Sequence, residues 1–242
     1  MDFARARADT ARPDSLQTAM ADRDPLRQRL GAGVAALPLQ LDSDACERLL
    51  DYLDLLARWN ATYNLSAVRD PHEMVTRHLL DSLSVLPHVV GERLADLGSG
   101  AGLPGIPLAI ARPALAVTLV DSNGKKTRFL RAAVRELRLA NVKVDECRVE
   151  QAGGQYDCIT ARAFASLADM LAWGGHLLAA EGRWLALKGR VPGDELAALP
   201  AGFRVEDVFA LRVPGLDAER HVVVIKRVRN GAPDIQGSAA GS

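Results

Sequence analysis

Cysteine is scarce: the 242-residue chain holds three, Cys46, Cys147 and Cys158, widely spaced and without a C-x-x-C pair. An odd, scattered set excludes a disulfide framework and a thiolate metal site, and fits reduced core residues in a cytosolic protein. No metal is expected. Nor is there an excess of charge, since Lys plus Arg and Asp plus Glu each total 30. Any nucleic-acid contact must therefore come from local basic patches rather than a global field. Long apolar runs are missing as well; none approaches the about 20 residues that cross a bilayer, so no membrane role is expected. The first 24 residues carry five aspartates and no apolar stretch, which opposes a transit peptide and a secretory signal and points to a cytoplasmic location. Aromatic residues make up 5%, and Trp59, Trp173 and Trp184 are expected to serve in packing.

What is present is an ordinary apolar content of 48% in a chain long enough for one α/β domain and an appendage. Four stretches are expected: an unordered extension over 1–25, a helical segment over 26–90, an α/β domain over 91–229, and an unordered Gly, Ala and Ser tail over 230–242. Within the helical segment, Cys46, Leu49, Leu53 and Leu56 recur every three or four residues and form one apolar stripe. Asp70-Pro71-His72-Glu73 opens a further helix, with Asp as cap and Pro at the first position; it runs to about Val85 before Pro87 closes it.

From Arg93 the pattern alternates, with strands expected at 93–97, 116–121, 142–146, 156–160, 183–188, 203–209 and 220–228. Helices follow the first, second, fourth and fifth, which implies right-handed crossovers and a parallel doubly wound sheet. The last two strands are separated only by a Pro214-Gly215 turn region and form an antiparallel hairpin. A seven-stranded, mostly parallel sheet with that ending is the Rossmann-like layout of class I S-adenosylmethionine-dependent methyltransferases. The six-stranded dinucleotide arrangement lacks it.

The run from Asp96 through Gly98, Ser99, Gly100, Ala101, Gly102, Leu103, Pro104 and Gly105 sits between the first strand and its helix. It holds two registers. Gly100 to Gly105 satisfies G-x-G-x-x-G, which seats a diphosphate on free N–H groups. Asp96-x-Gly98-x-Gly100-x-Gly102 adds a carboxylate that would repel a diphosphate and attract an ammonium or sulfonium, both of which S-adenosylmethionine carries. Asp121, closing the second strand 21 residues after Gly100, can accept both ribose hydroxyls of either nucleotide; its bland alternative is a capping acid.

Other residues fall at the same rim. Val149 can lie on an adenine face while Glu150 or a nearby backbone group meets its polar edge, although Arg148 to Glu150 also reads as a solvated loop. Arg162 leaves the fourth strand toward the crevice, where it can bond a phosphate or a purine edge, or else form a structural salt bridge. Lys125, Arg128, Arg131, Arg135 and Arg138 line one side of the helix after Asp121; such a stripe can track a phosphate backbone, or is simply its wet face. His78, Asp81 and Ser82 lie within one turn and lack a nucleophile elbow, so a hydrolytic triad is rejected. Arg77, His78 and Asp81 are expected instead to form a polar cluster over the crevice, with Asn64 joining it or capping a turn.

Taken together, Asn64-Leu65-Ser66, Arg77-His78-x-x-Asp81-Ser82, the glycine run, Asp121-Ser122 with Lys125-Lys126, Arg148-Val149-Glu150, Arg162-Ala163, Lys188-Gly189 and Glu219-Arg220-His221 resemble the RsmG (GidB) family, over about residues 26–227. The resemblance implies a bacterial 16S rRNA (guanine-N7)-methyltransferase. It also implies contact to S-adenosylmethionine from Gly98, Leu103, Val149, Glu150 and Arg162, with Asp121 at the ribose and Gly100 in the loop. Arg162, Asn64, Arg77 and His78 become candidates for positioning the guanine. The expected partner is 16S rRNA or the assembling small subunit, met by a monomer. Two rival classes are a dinucleotide oxidoreductase using the 100–105 register and an RNA-binding assembly factor without activity.

Overall fold

A computed structural model describes residues 14–162 and 165–228; for residues 14–22 it describes the backbone only. The unordered stretches expected over 1–13 and 230–242 lie outside the described residues.

Helix α1 spans Asp14–Ala35 and α2 spans Ser43–Tyr63. The first begins well ahead of the boundary expected at residue 26, so 14–25 is helix rather than an unordered lead. Side-chain ties explain why it holds. Arg23 reaches Asp51 at 2.9 Å and Asp54 at 3.3 Å on α2, and Leu26, Leu30 and Val34 are buried beneath. Asp42 caps α2 by accepting a bond from the Ala45 N–H at 2.7 Å, and the expected stripe of Leu49, Leu53 and Leu56 faces inward.

Asp70 caps the next helix through the Glu73 N–H, as expected, but that helix is not uniform. It comprises α3 (Pro71–Met74), a π-helical turn (Val75–Leu80) and α4 (Asp81–Leu83). Five of the six π-turn residues are buried, with Arg77 the exception. The widened turn thus lies inside the core on nearly all sides, as the regular helix Gly105–Ala111 does up to Ile110.

Strands β1 (Arg93–Leu97), β2 (Ala116–Val120), β3 (Val142–Asp145), β4 (Tyr156–Arg162), β5 (Leu178–Lys188), β6 (Phe203–Ala210) and β7 (His221–Arg227) form one sheet. Their order is β3-β2-β1-β4-β5-β7-β6, with β7 antiparallel to both neighbours. The expected fold class is thus observed. Three strands extend past their expected ends, β6 by the single residue Ala210. β5 starts at Leu178 because that residue pairs with Tyr156, and β4 continues to Arg162, which pairs with Leu187.

Helices α5 (Gly105–Ala111) and α6 (Gly124–Glu136) pack with α1 and α2 on one face; α7 (Leu167–Gly174) covers the other, and α8 (Gly193–Ala197) lies beyond β5. Between β3 and β4 the chain makes only a 3-10 turn, Val149–Gln151. Two of the three tryptophans pack as expected: Trp184 is fully buried, and Trp59 stacks on Tyr63 and meets Phe129 edge-on. No described helix is long and apolar enough to cross a membrane.

One buried contact ties the helical segment to the glycine loop: the Tyr52 hydroxyl on α2 donates to the Ala101 carbonyl at 2.7 Å. Burial pushes that phenol far above its ordinary range, so it stays a donor. Tyr52→Phe leaves the carbonyl unpaired and is expected to cost about 1–3 kcal/mol, measured as a lower urea midpoint at unchanged slope.

Candidate active site

Parallel strands end together, and the turns that leave them form a rim where ligands bind. At the end of β1 the chain enters the glycine loop with φ of +67° at Gly98 and +86° at Gly102. A Cβ on Gly102 would lie 2.5 Å from the Ile106 side chain, so the loop packs flat against α5 only with glycine there.

Asp96 does not face a ligand. Only 1% exposed, it accepts a bond from the Gly105 N–H at 3.1 Å and another from the Thr160 hydroxyl at 3.0 Å. The expectation that this carboxylate meets an ammonium or sulfonium directly is therefore corrected. The physical reason is the start of α5: its first N–H has no helical partner, and the buried carboxylate supplies one. Burial raises its pKa to about 6, opposed by the bonds from Thr160 and Gly105.

Above the loop lies a cavity of about 470 Å³, lined by Gly98, Val120, Asp121, Ser122, Asn123, Lys126, Cys147, Arg148, Val149, Glu150 and Trp173. Asp121, 7% exposed, accepts from the Gly100 N–H and the Asn123 N–H, both at 2.9 Å, and Lys126 stands 3.7 Å away. Its two oxygens keep lone pairs for a ligand's hydroxyls. Val149, buried, begins the 3-10 turn, and Glu150 is exposed beside it. Gly98, Asp121, Val149 and Glu150 are thus brought together as expected, while Gly100 contributes its N–H to Asp121. Leu103 is not among them; its side chain is buried in the apolar core and lines neither this cavity nor the one below. The arrangement fits a nucleoside: a carboxylate beside a close backbone approach, with an apolar platform across from them.

A second cavity, about 410 Å³, opens between the π-turn and the ends of β4, β5 and β7. Arg77, His78, Asp81, Arg162, Lys188, Arg220 and His221 line it, with Val68, Leu187, Gly189 and Leu211 as its apolar and backbone wall. Asp81, 4% exposed, accepts from Arg162 at 3.2 Å on one oxygen and from Arg220 at 3.0 Å on the other. Arg162 therefore lines this cavity beside Arg77 and His78, with the salt bridge that was its alternative reading, and does not line the first cavity, where its implied donor contact would put it. Arg77 is half-exposed and leans toward Glu73 at 3.7 Å. His78 pairs through Nε2 with the Ser66 hydroxyl at 2.8 Å, and burial lowers its pKa to about 4. It is neutral at neutral pH.

Asn64 stands apart. It is exposed, adopts φ of +50° as the cap of α2, and accepts a bond from Arg69 at 2.9 Å. Its capping alternative is the one observed, and it lines neither cavity. A hollow of about 620 Å³ between α2 and α6, lined by Asp51, Asp54, Arg58 and Glu136, lies away from the glycine loop.

Several lining residues were missed from sequence. Lys126 and Trp173 border the nucleoside cavity, the latter although read as packing; it also touches the core under α7. Lys188, Arg220 and His221 border the second cavity without having been given a role. A signal existed for these three. Lys188 ends β5, and an antiparallel β7 must begin at the rim where its parallel neighbours end.

Comparison with known proteins follows the same lines. A family model described as GidB, rRNA small subunit methyltransferase G, matches residues 45–223. A ribosomal RNA small subunit methyltransferase G from Xanthomonas campestris pv. campestris is 60% identical over 189 residues, covering 77% of this chain and 89% of the relative. The protein of that name from Stenotrophomonas maltophilia is 57% identical over 198 residues, 81% and 92% of the two chains. Among solved structures, TrmN from Thermus thermophilus superposes with a TM-score of 0.51 at 20% identity, over 64% of this chain and 53% of that one, a likeness of fold.

The Asp96 carboxylate gives a pH test. Its pKa is raised on folding, so the fold favours its protonated form. Its contribution is most favourable below about pH 4 and is lost as pH rises through about 6. Asp96→Asn removes this titration. The stability difference between wild type and variant is expected to drift across pH 4 to 6 by at most about 1.4 kcal/mol per pH unit, and a constant difference in urea melts would refute the assignment.

Proposed function

Because the chain belongs to the rRNA small subunit methyltransferase G family, we propose that it moves a methyl group from S-adenosylmethionine to N7 of a guanine in 16S ribosomal RNA. We place this activity in the cytoplasm, on free RNA or on the assembling subunit. The observation that carries the reading is the meeting, at one rim, of a nucleoside-sized cavity with a cation-lined one.

The bound donor supplies an electrophilic methyl carbon on a sulfonium. Asp121 would accept the ribose hydroxyls, Val149 would lie on the adenine face, and Glu150 or its neighbouring backbone would meet the purine's polar edge. The remaining work belongs to the second cavity. Guanine N7 offers an in-plane lone pair and loses no proton on methylation, so no side chain need abstract one. What is required is alignment of N7 behind the methyl carbon and tolerance of charge arriving on the purine. His78 suits that demand, since its imidazole stays uncharged at neutral pH. Arg162 and Arg220, fixed by Asp81, would hold the oxygen edge of the base or a flanking phosphate. In A-form RNA the N7 edge lies in a groove too deep and narrow to reach, so the target guanine must be looped or flipped out.

Mapping the modified nucleotide in rRNA from cells with and without this chain tests the assignment, with one guanine-N7 mark expected to disappear. Titration separates the dinucleotide alternative: S-adenosylhomocysteine is expected to bind and NAD is not. Arg162→Ala and Arg220→Ala are expected to lower kcat/KM for rRNA by at least about tenfold with S-adenosylhomocysteine affinity unchanged. Asp121→Ala should weaken that affinity instead. Should Arg162→Ala weaken S-adenosylhomocysteine binding yet leave turnover intact, Arg162 is a donor-binding residue and its present assignment fails.

A further inference from the structure

We propose that the outer face of α6 is a docking ridge for the phosphate backbone of the RNA substrate, separate from the cavity that receives the base. This rests on the rRNA methyltransferase reading above. Lys125, Arg128, Arg131 and Arg135 on the helix, and Arg138 in the turn that follows, are all exposed. The opposite side, Phe129, Leu130 and Ala133, is fully buried, so the cations have one direction to face.

The ridge differs from an ordinary solvated helix face in its lack of compensation. Such faces usually mix signs at spacings of three and four, because like charges there repel by a few tenths of a kcal/mol per pair. Here the spacings are three, three, four and three, and every member is cationic. Glu146 engages Arg131 at 2.7 Å and lies within reach of the Arg128 charge, and Glu136 turns toward Arg58 on α2 at 3.5 Å. Among the described residues, Arg128, Arg135 and Arg138 form no salt bridge. In a chain with 30 charges of each sign, this is a local concentration rather than a reflection of overall basicity. A polyanion would relieve the repulsion that the free protein carries.

Position supports the same occupant. Asn123 and Lys126, at the start of α6, form part of the nucleoside cavity's wall. The ridge therefore begins at the rim of the reaction site and runs away from it for about 15 Å from Lys125 to Arg135, with Arg138 in the turn beyond, long enough to meet several consecutive phosphates. The base would enter at the rim while the flanking strand lies along the helix. Phosphate contacts of this kind position the substrate without reading its sequence.

The test is the triple variant Arg128→Gln, Arg135→Gln, Arg138→Gln, which leaves the Arg131 bridge and both cavities untouched. Binding to a protein-free 16S rRNA transcript is expected to weaken by about tenfold or more near physiological salt, with the slope of log K against log salt shallower by about 2 to 3. KM for RNA should rise in step, while kcat at saturating RNA and S-adenosylhomocysteine affinity stay at wild-type values. Lysine at the same three positions should restore binding. An unchanged salt slope and KM would overturn the ridge. So would a loss seen only with ribosomal particles and not with protein-free rRNA, which would assign the face to an acidic protein surface. Failure of the wild type to bind or methylate rRNA at all would instead bring down the substrate reading, and this inference with it.

Discussion

The buried carboxylate of Asp96 is the constraint on which the site depends. It joins three elements in one place: it lies one residue before the end of β1, receives the Thr160 hydroxyl from β4, and satisfies the first N–H of α5. The glycine loop is strung between two of those points and has little freedom to drift. Tyr52 adds a third tether by binding the Ala101 carbonyl from outside the sheet. A charge so deep is costly to hold, and burial raises its pKa accordingly. The return is a loop whose backbone stands still where a ligand must approach closely.

The same tethering explains why the helices before β1 are not an appendage in any physical sense. Leu30, Leu53, Leu79 and Leu83 belong to one continuous apolar cluster with Ile106, Phe129 and Leu185. The π-turn that contributes Leu79 to that cluster also delivers His78 to the second cavity, and Asp81 follows directly after it. Burial on one side and chemistry on the other are therefore set by the same six residues. A shift in the packing of α1 or α2 would reach the second cavity through them.

Much of this was legible in the sequence because it is local or periodic. Most strand positions, the hairpin, the cap at Asp70, and the meeting of Gly98 with Asp121 follow from alternation, turn residues and the rule that parallel strands end at one rim. The direction of the Asp96 side chain was not legible. Its partners, Gly105 and Thr160, compete with any ligand, and nine and 64 residues of separation hide that competition. The π-turn escaped as well, because Val75 to Leu80 carries no proline or glycine to mark a break in the helical pattern. Of the roles expected for Arg162, the salt bridge and the place beside Arg77 and His78 match its position, whereas the donor contact implied by the resemblance does not. Its partner Asp81 lies 81 residues away, beyond what spacing can relate.

Asp81 accepts one arginine on each oxygen, from strands that lie on opposite sides of β5. Neither guanidinium is free to sweep solvent before a substrate arrives. Immobilising a long side chain at the moment of association costs about 0.5–1.5 kcal/mol, and here that loss of rotamer entropy is already met when the chain folds. The cavity is thus preorganised by a residue that need never touch the nucleotide.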